Sequence, residues 1–134
     1  MRILSFDPGH QTGVAYMLGP EWQWGMTIDH PALTKDLLSH LAHICEPELV
    51  VVEAPPTRQV DDISVRGYGL ICSWFEGAGI TVERVNPGQW KGMVKVDLVI
   101  SGQHQKEAMY MARWAWKRES AKLWRILGED NGPR

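Results

Sequence analysis

The chain has 134 residues, 14 of them basic and 16 acidic, for a formal charge of −2. That length suits a single domain over residues 1–134, and a composition 44% hydrophobic and 22% charged excludes a disordered chain, a collagen or a coiled coil. No apolar run approaches the roughly 20 residues of a membrane helix. Cys45 and Cys72 are too few for a disulfide scaffold or a cysteine-ligated zinc, so a reducing cytoplasm is expected.

Arg2–Asp7 alternates and then meets Pro8-Gly9, which predicts a strand entering a turn rather than a signal peptide. Thr12–Leu18 is a second strand closed by Gly19-Pro20, and Glu21–Ile28 a third, with Trp22, Trp24 and Met26 at period two. The short turns predict an antiparallel meander. Pro31–Cys45 has a helical period through Leu33, Leu37, Leu38, Leu41, Ala42 and Ile44, with Pro31 in the first turn. Leu49–Glu53 is a continuous apolar run ending in a carboxylate, the pattern of a buried parallel strand. A loop over Ala54–Arg58 leads to a helix capped by Asp61 or Asp62 and running to about Glu76, where Gly77 and Gly79 end it. Ile80–Val85 is a fifth strand, closed by Asn86-Pro87-Gly88. A polar connection from Gln89 to Gly102 precedes a long helix over Gln103–Glu119 and a shorter helical stretch to Leu127, then a frayed tail. The order predicts an α/β fold: a five-stranded mixed sheet, three strands antiparallel and two parallel, flanked by helices.

Asp7 and Glu53 each end an apolar strand. If those strands are parallel neighbours, both carboxylates emerge at the carboxyl edge, where open α/β sheets bind ligands. A buried pair of carboxylates repels unless a cation intervenes. Each residue taken alone also fits an ordinary turn cap or strand end. His104 and Glu107, at i,i+3 near the start of the last helix, share a face that could reach the same edge. Oxygen ligands from distant segments suit a hard cation such as Mg²⁺ or Mn²⁺, although the same residues also read as an exposed polar first turn.

Charge is unevenly spread: residues 1–83 carry 4 basic and 11 acidic side chains, residues 84–134 carry 10 and 5. Lys106, Tyr110, Arg113 and Lys117 form a helical stripe, continued by Arg118, Lys122 and Arg125, with Trp114, Trp116 and Trp124 interleaved. Basic residues can contact phosphates and aromatics can stack on bases. Solvated lysines and core tryptophans are the alternative, and for Trp114 the core is the better assignment. Lys91 and Lys95, in the connection near the presumed edge, are further phosphate-contact candidates. His40 and His43 read as surface or packing residues; His10, close to Asp7 in sequence, could approach the site.

Ile3-Leu4-Ser5-Phe6-Asp7-Pro8-Gly9 with Thr12-Gly13 resembles the first motif of RuvC-type Holliday-junction resolvases. Val50-Val51-Val52-Glu53 resembles the second acidic motif, Arg66-Gly67 the helix that follows it, and Val85-Asn86-Pro87 with Trp90-Lys91 the proline–lysine segment after the fifth strand. His104-Gln105-Lys106-Glu107-Ala108 stands where that family has an Asp-x-x-Asp-Ala helix motif. The compact chain is similar to bacteriophage members. The resemblance implies an RNase H-like fold, a homodimer, and metal-dependent cleavage of four-way DNA junctions by paired nicks leaving 5′-phosphate and 3′-hydroxyl ends, in the cytoplasm of a bacterium or a phage-infected host. Asp7, Glu53 and Glu107 map onto acidic positions of the motifs, for two Mg²⁺ or Mn²⁺ ions per site. His104 departs from the pattern: a softer imidazole favours Mn²⁺ over Mg²⁺ and would ligate metal or position or deprotonate the water, with Asp97 a lesser substitute. Arg66, Lys91, Lys95, Lys106, Arg113 and Lys117 are the expected DNA contacts, and the helix from Asp62 to Glu76, apolar on more than one face, the expected dimer contact.

Three other readings are open. One is a flap or general branched-DNA endonuclease, or an RNase H-type enzyme. Another is a non-catalytic junction-binding module. The last rests on Asp7-x-Gly9 with Thr12-Gly13, which also resembles the phosphate loop of actin-like kinases and ATPases; those need two duplicated domains, more than 134 residues supply.

Overall fold

The structure is a computed structural model that describes residues 1–55, 61–86 and 103–126, and only the backbone of residues 103, 104 and 123–126. Strands β1 (Arg2–Asp7), β2 (Gln11–Leu18) and β3 (Glu21–Asp29) form the meander, followed by helix α1 (Lys35–Cys45), strand β4 (Leu49–Glu53), helix α2 (Asp62–Gly77), strand β5 (Thr81–Val85) and helix α3 (Gln103–Ile126). The sheet order is β3-β2-β1-β4-β5. The β1–β2 and β2–β3 pairs are antiparallel, and β1–β4 and β4–β5 are parallel. The mixed five-stranded sheet expected from the sequence is therefore present. No helix among the described residues is long and apolar enough to cross a membrane.

Alternation along each strand serves two cores. Ile3, Ala15, Met17, Leu49, Val51 and Val85 face α3 and pack on Ala108, Met109, Met111, Ala112 and Ala115. Leu4, Phe6, Val14, Val50 and Val52 face the other way, onto Leu38, Leu41 and Cys45 of α1 and Ile71, Cys72 and Phe75 of α2. Every residue of β4 is buried, as a central parallel strand covered on both faces requires. On α3 the small side chains Ala108, Ala112 and Ala115 let the helix axis approach the sheet closely.

Three expectations are corrected. Helix α1 does not include Pro31, which lies in a single 3₁₀ turn, His30–Ala32. Thr34 starts the α-helix instead, its side chain accepting a hydrogen bond from the Leu37 amide. Trp22, Trp24 and Met26 do not share a face. Tyr16 pairs with Trp24 but Met17 pairs with Trp22, so Gln23 is an extra residue in a β-bulge. The bulge puts Trp22 on the α3 side, and Trp24 and Met26 on the other. Finally, α3 is one uninterrupted helix to Ile126 rather than two stretches. No glycine or proline interrupts residues 103–126, and Lys122 pairs with Glu119 at i,i+3 across the expected break.

Asp61 is the residue that caps α2, accepting from the Ser64 amide at 2.7 Å. Near its start, Gly67 lies against the preceding segments: a Cβ there would stand 3.3 Å from Leu33 and 3.8 Å from Pro8. The first turns of α2 are thus seated beside the turn that follows Asp7.

Candidate metal centre

Parallel pairing sets Ile3 beside Leu49 and Phe6 beside Val52, so the next step of the register brings Asp7 beside Glu53. Asp7 also pairs with Gly13 on β2, Gly13 with Thr27 on β3, and Glu53 with Val85 on β5. One cross-strand row on the α3 face therefore reads Thr27, Gly13, Asp7, Glu53, Val85. The row lies at the carboxyl ends of the parallel strands, where both chain direction and side-chain parity place the two acids on one face.

Helix α3 adds the third acid. Ligand oxygens of Asp7, Glu53 and Glu107 all lie within 4.8 Å of one another, the one such acidic or imidazole group among the described residues. Asp7 and Glu53 are each only 8% exposed. Burial, a hydrogen bond with Glu107 and the negative charges of Glu53 and Glu107 push the Asp7 carboxyl up to about 9. Without a cation, the cluster keeps a proton to relieve that repulsion.

The donor set fits a divalent ion. Three carboxylates from two adjacent strands and a helix converge within coordination reach, and hard oxygen donors match Mg²⁺ or Mn²⁺. The upward pull on the Asp7 carboxyl has the same origin, since a cation at the same place would offset all three negative charges at once.

Other expected residues fall in different places. Arg66 is exposed on α2, one residue before the buried Gly67. Lys106 and Arg113 are half-buried and Lys117 is exposed. Burial lowers the Arg113 guanidinium from its ordinary value. Lys91, Lys95 and Asp97 lie outside the described residues, as does the side chain of His104. His10 does not join the acids: it is exposed, with Nε2 3.9 Å from Asp61 Oδ1. His40 and His43 are on the surface of α1, as expected. Arg118 and Lys122 do not extend a free basic stripe. Arg118 is ion-paired with Glu83 and Glu119, and Lys122 with Glu119 at 3.1 Å.

Sequence reasoning passed over Gln105, whose Nε2 donates to Thr27 Oγ1 at 3.1 Å. The signal was available in the period-two parity that aligns Thr27 with Asp7, but only once the register across β2 is known.

The fold and the acidic edge together define an RNase H-like architecture. Among solved structures, the chain is similar to Thermus thermophilus RuvC in complex with a Holliday junction substrate, at 15% identity and a TM-score of 0.71 over 92% of this chain and 96% of that one. A second Thermus thermophilus RuvC structure gives 14% identity and a TM-score of 0.70 over 99% and 100%. The yeast mitochondrial Holliday junction resolvase Ydc2 gives 9% identity and a TM-score of 0.55 over 94% and 84%. At these identities the likeness is one of fold. No protein-family model matches the sequence, and no curated protein matches it either.

Proposed function

We propose that this chain is a metal-dependent, structure-selective endonuclease that resolves four-way DNA junctions by paired symmetric nicks, leaving 5′-phosphate and 3′-hydroxyl ends. The observation that carries this reading is the convergence of Asp7, Glu53 and Glu107 within 4.8 Å at the carboxyl edge of an RNase H-like sheet. Its support is the likeness of fold to proteins solved as Holliday junction resolvases, together with the motif order in the sequence.

Bound Mg²⁺ or Mn²⁺, two ions in this reading, would supply an acidified water and neutralise charge on the phosphate during hydrolysis. Asp7 and Glu53 hold fixed positions because both project from buried strands bonded to neighbours on each side. Glu107 comes from a helix and closes the third side of the cluster. His104 would complete the donor set or orient the attacking water. Arg66, exposed on α2, would contact a phosphate of the substrate, and Lys91, Lys95, Lys106, Arg113 and Lys117 would be the remaining phosphate contacts of this reading. A two-fold homodimer would present two such sites to opposed strands. Its contact would be α2, where Val65 is 41% exposed and Tyr68, Leu70 and Trp74 are only partly buried. The compartment would be the cytoplasm of a bacterium or of a phage-infected host.

Cleavage of a synthetic four-way junction, a flap and an RNA–DNA hybrid, each with Mg²⁺ or Mn²⁺, tests the reading. Wild type should nick the junction symmetrically, and Asp7→Asn should cut it on the order of 10³-fold more slowly. Equal cutting by the two proteins overturns the mechanism. Preference for the flap or the hybrid would instead make this a branched-DNA or RNase H-type nuclease.

A further inference from the structure

Two side chains of the first turns of α3 reach the same cross-strand row. Gln105 bonds Thr27 on β3, and Glu107 meets Asp7 and Glu53 on β1 and β4. Between these contacts in the row lies Gly13, which offers no side chain. Residues 105 and 107 are about 200° apart around a helix, so they leave it on opposite sides. The helix therefore straddles the row, gripping it on both flanks. Rotation that lifts Glu107 away from the acids must drive Gln105 into β3, and rotation the other way must break the bond to Thr27.

The berth for Gln105 is also specific. Gly25 lies on the same face as Thr27, and a Cβ there would stand 2.9 Å from Gln105 Oε1. The Trp22 ring, brought to this side by the bulge at Gln23, closes over the same glycine. The absence of a side chain at residue 25 thus leaves room for the Trp22 ring first and for the amide beside it. The need for such a tether is physical: the first turn of a helix lacks the intrahelical bonds that hold later turns, and it frays unless a side chain fixes it.

We infer that Gln105 is a positioning residue: its bond to Thr27, admitted by Gly25, sets the rotation of α3 and so holds Glu107 over Asp7 and Glu53 for metal binding. This rests on the metal-centre reading above and adds a residue that acts through another rather than on the ion.

Mn²⁺ titration of the intact protein by calorimetry tests it, with the metal-free melting temperature recorded for each variant. Gln105→Ala and Thr27→Val should each weaken Mn²⁺ binding about tenfold. The double variant should lose no more than either alone, because one bond is removed in all three. Thr27→Ser keeps the hydroxyl and should bind as wild type does. Metal-free melting temperatures should stay within about 2 °C for the two single side-chain variants, since both positions lie near the surface. Wild-type affinity in Gln105→Ala, or additive losses in the double variant, overturns the inference while leaving the metal centre intact. Failure of the wild-type protein to take up Mn²⁺ overturns the metal-centre reading, and this inference with it.

Discussion

Helix α3 treats charge in opposite ways at its two ends. Near its start Glu107 is held against Asp7 and Glu53, three acids within 4.8 Å. About three turns later on the same helical stripe, through Met111 and Trp114, Arg118 is ion-paired with Glu83 on β5 and lies over the Trp114 ring at 4.7 Å. Glu119 then accepts both Arg118 and Lys122. The far end obeys the ordinary rule that a half-buried charge sits beside its opposite. The near end breaks that rule, and a fold selected for stability alone would not gather three acids around an 8%-exposed aspartate. The contrast sets the candidate metal centre at one end of the helix and anchorage at the other.

The largest effect expected from this contrast is that removing a charge from the near end stabilises the protein. Asp7 is held up to about 9, far above the 3.8 of an exposed aspartate, chiefly by burial. The folded state therefore binds this proton more tightly than the unfolded chain does. Its contribution to stability is complete below about pH 4 and declines as pH rises toward 9. In chelator, the metal-free wild type should lose stability across that window, and Asp7→Asn, an isostere of the protonated acid, should flatten the slope. At neutral pH the variant should be more stable by about 1–2 kcal/mol. Added Mn²⁺ should stabilise wild type and leave Asp7→Asn nearly unchanged. Chemical denaturation at pH 5, 7 and 9 measures all of this, and a wild-type stability that climbs with pH would contradict the account.

At the far end the sign reverses. Arg118→Ala removes the partner of Glu83, whose side chain is only 15% exposed, together with the stacking on Trp114. The loss should be about 1–2 kcal/mol, reduced from a fully buried pair because the Arg118 side chain is itself 36% exposed. Mn²⁺ affinity should stay at the wild-type level, because the acids are held by β1, β4 and the first turns of α3. A large fall in affinity would mean that the two ends are not separable.

The sequence carried most of this arrangement and missed its fine register. Strand ends at Asp7 and Glu53 are legible because an apolar run stops at a carboxylate in each case, and the parallel pairing follows from the intervening helix. Glu107 is legible through its motif and its place in the first turns of α3. What period alone does not carry is a shift of one residue. The bulge at Gln23 sends Trp22 and Trp24 to opposite faces, and a one-residue slip reverses every later assignment on that strand. The start of α1 is ambiguous in sequence for a related reason: proline fits both a 3₁₀ turn and an α-helical first turn, and only the Thr34 cap decides between them. Arg118 and Lys122 looked like a stripe open to phosphate because their acidic partners are Glu83, distant in sequence, and Glu119, whose role needs the continuous helix.

The smallest expected effect separates the parts of the far-end network. Lys122 has a 54% exposed side chain and, among the described residues, one acidic partner, Glu119, at i,i+3. An exposed pair of this kind gains little Coulomb energy in water and costs side-chain freedom, so Lys122→Ala should change stability by less than about 0.5 kcal/mol. Glu119 also keeps Arg118 at 3.5 Å after the substitution, so no acid is left alone. The small difference should disappear in 1 M salt, where screening acts over about 3 Å. The Arg118→Ala loss should largely persist there, because Glu83 is sheltered from solvent. If the two variants instead lost stability equally and both effects vanished in salt, the far end would be a solvated charge run rather than an anchor. The contrast between the two ends of α3 would then rest on the acidic cluster alone.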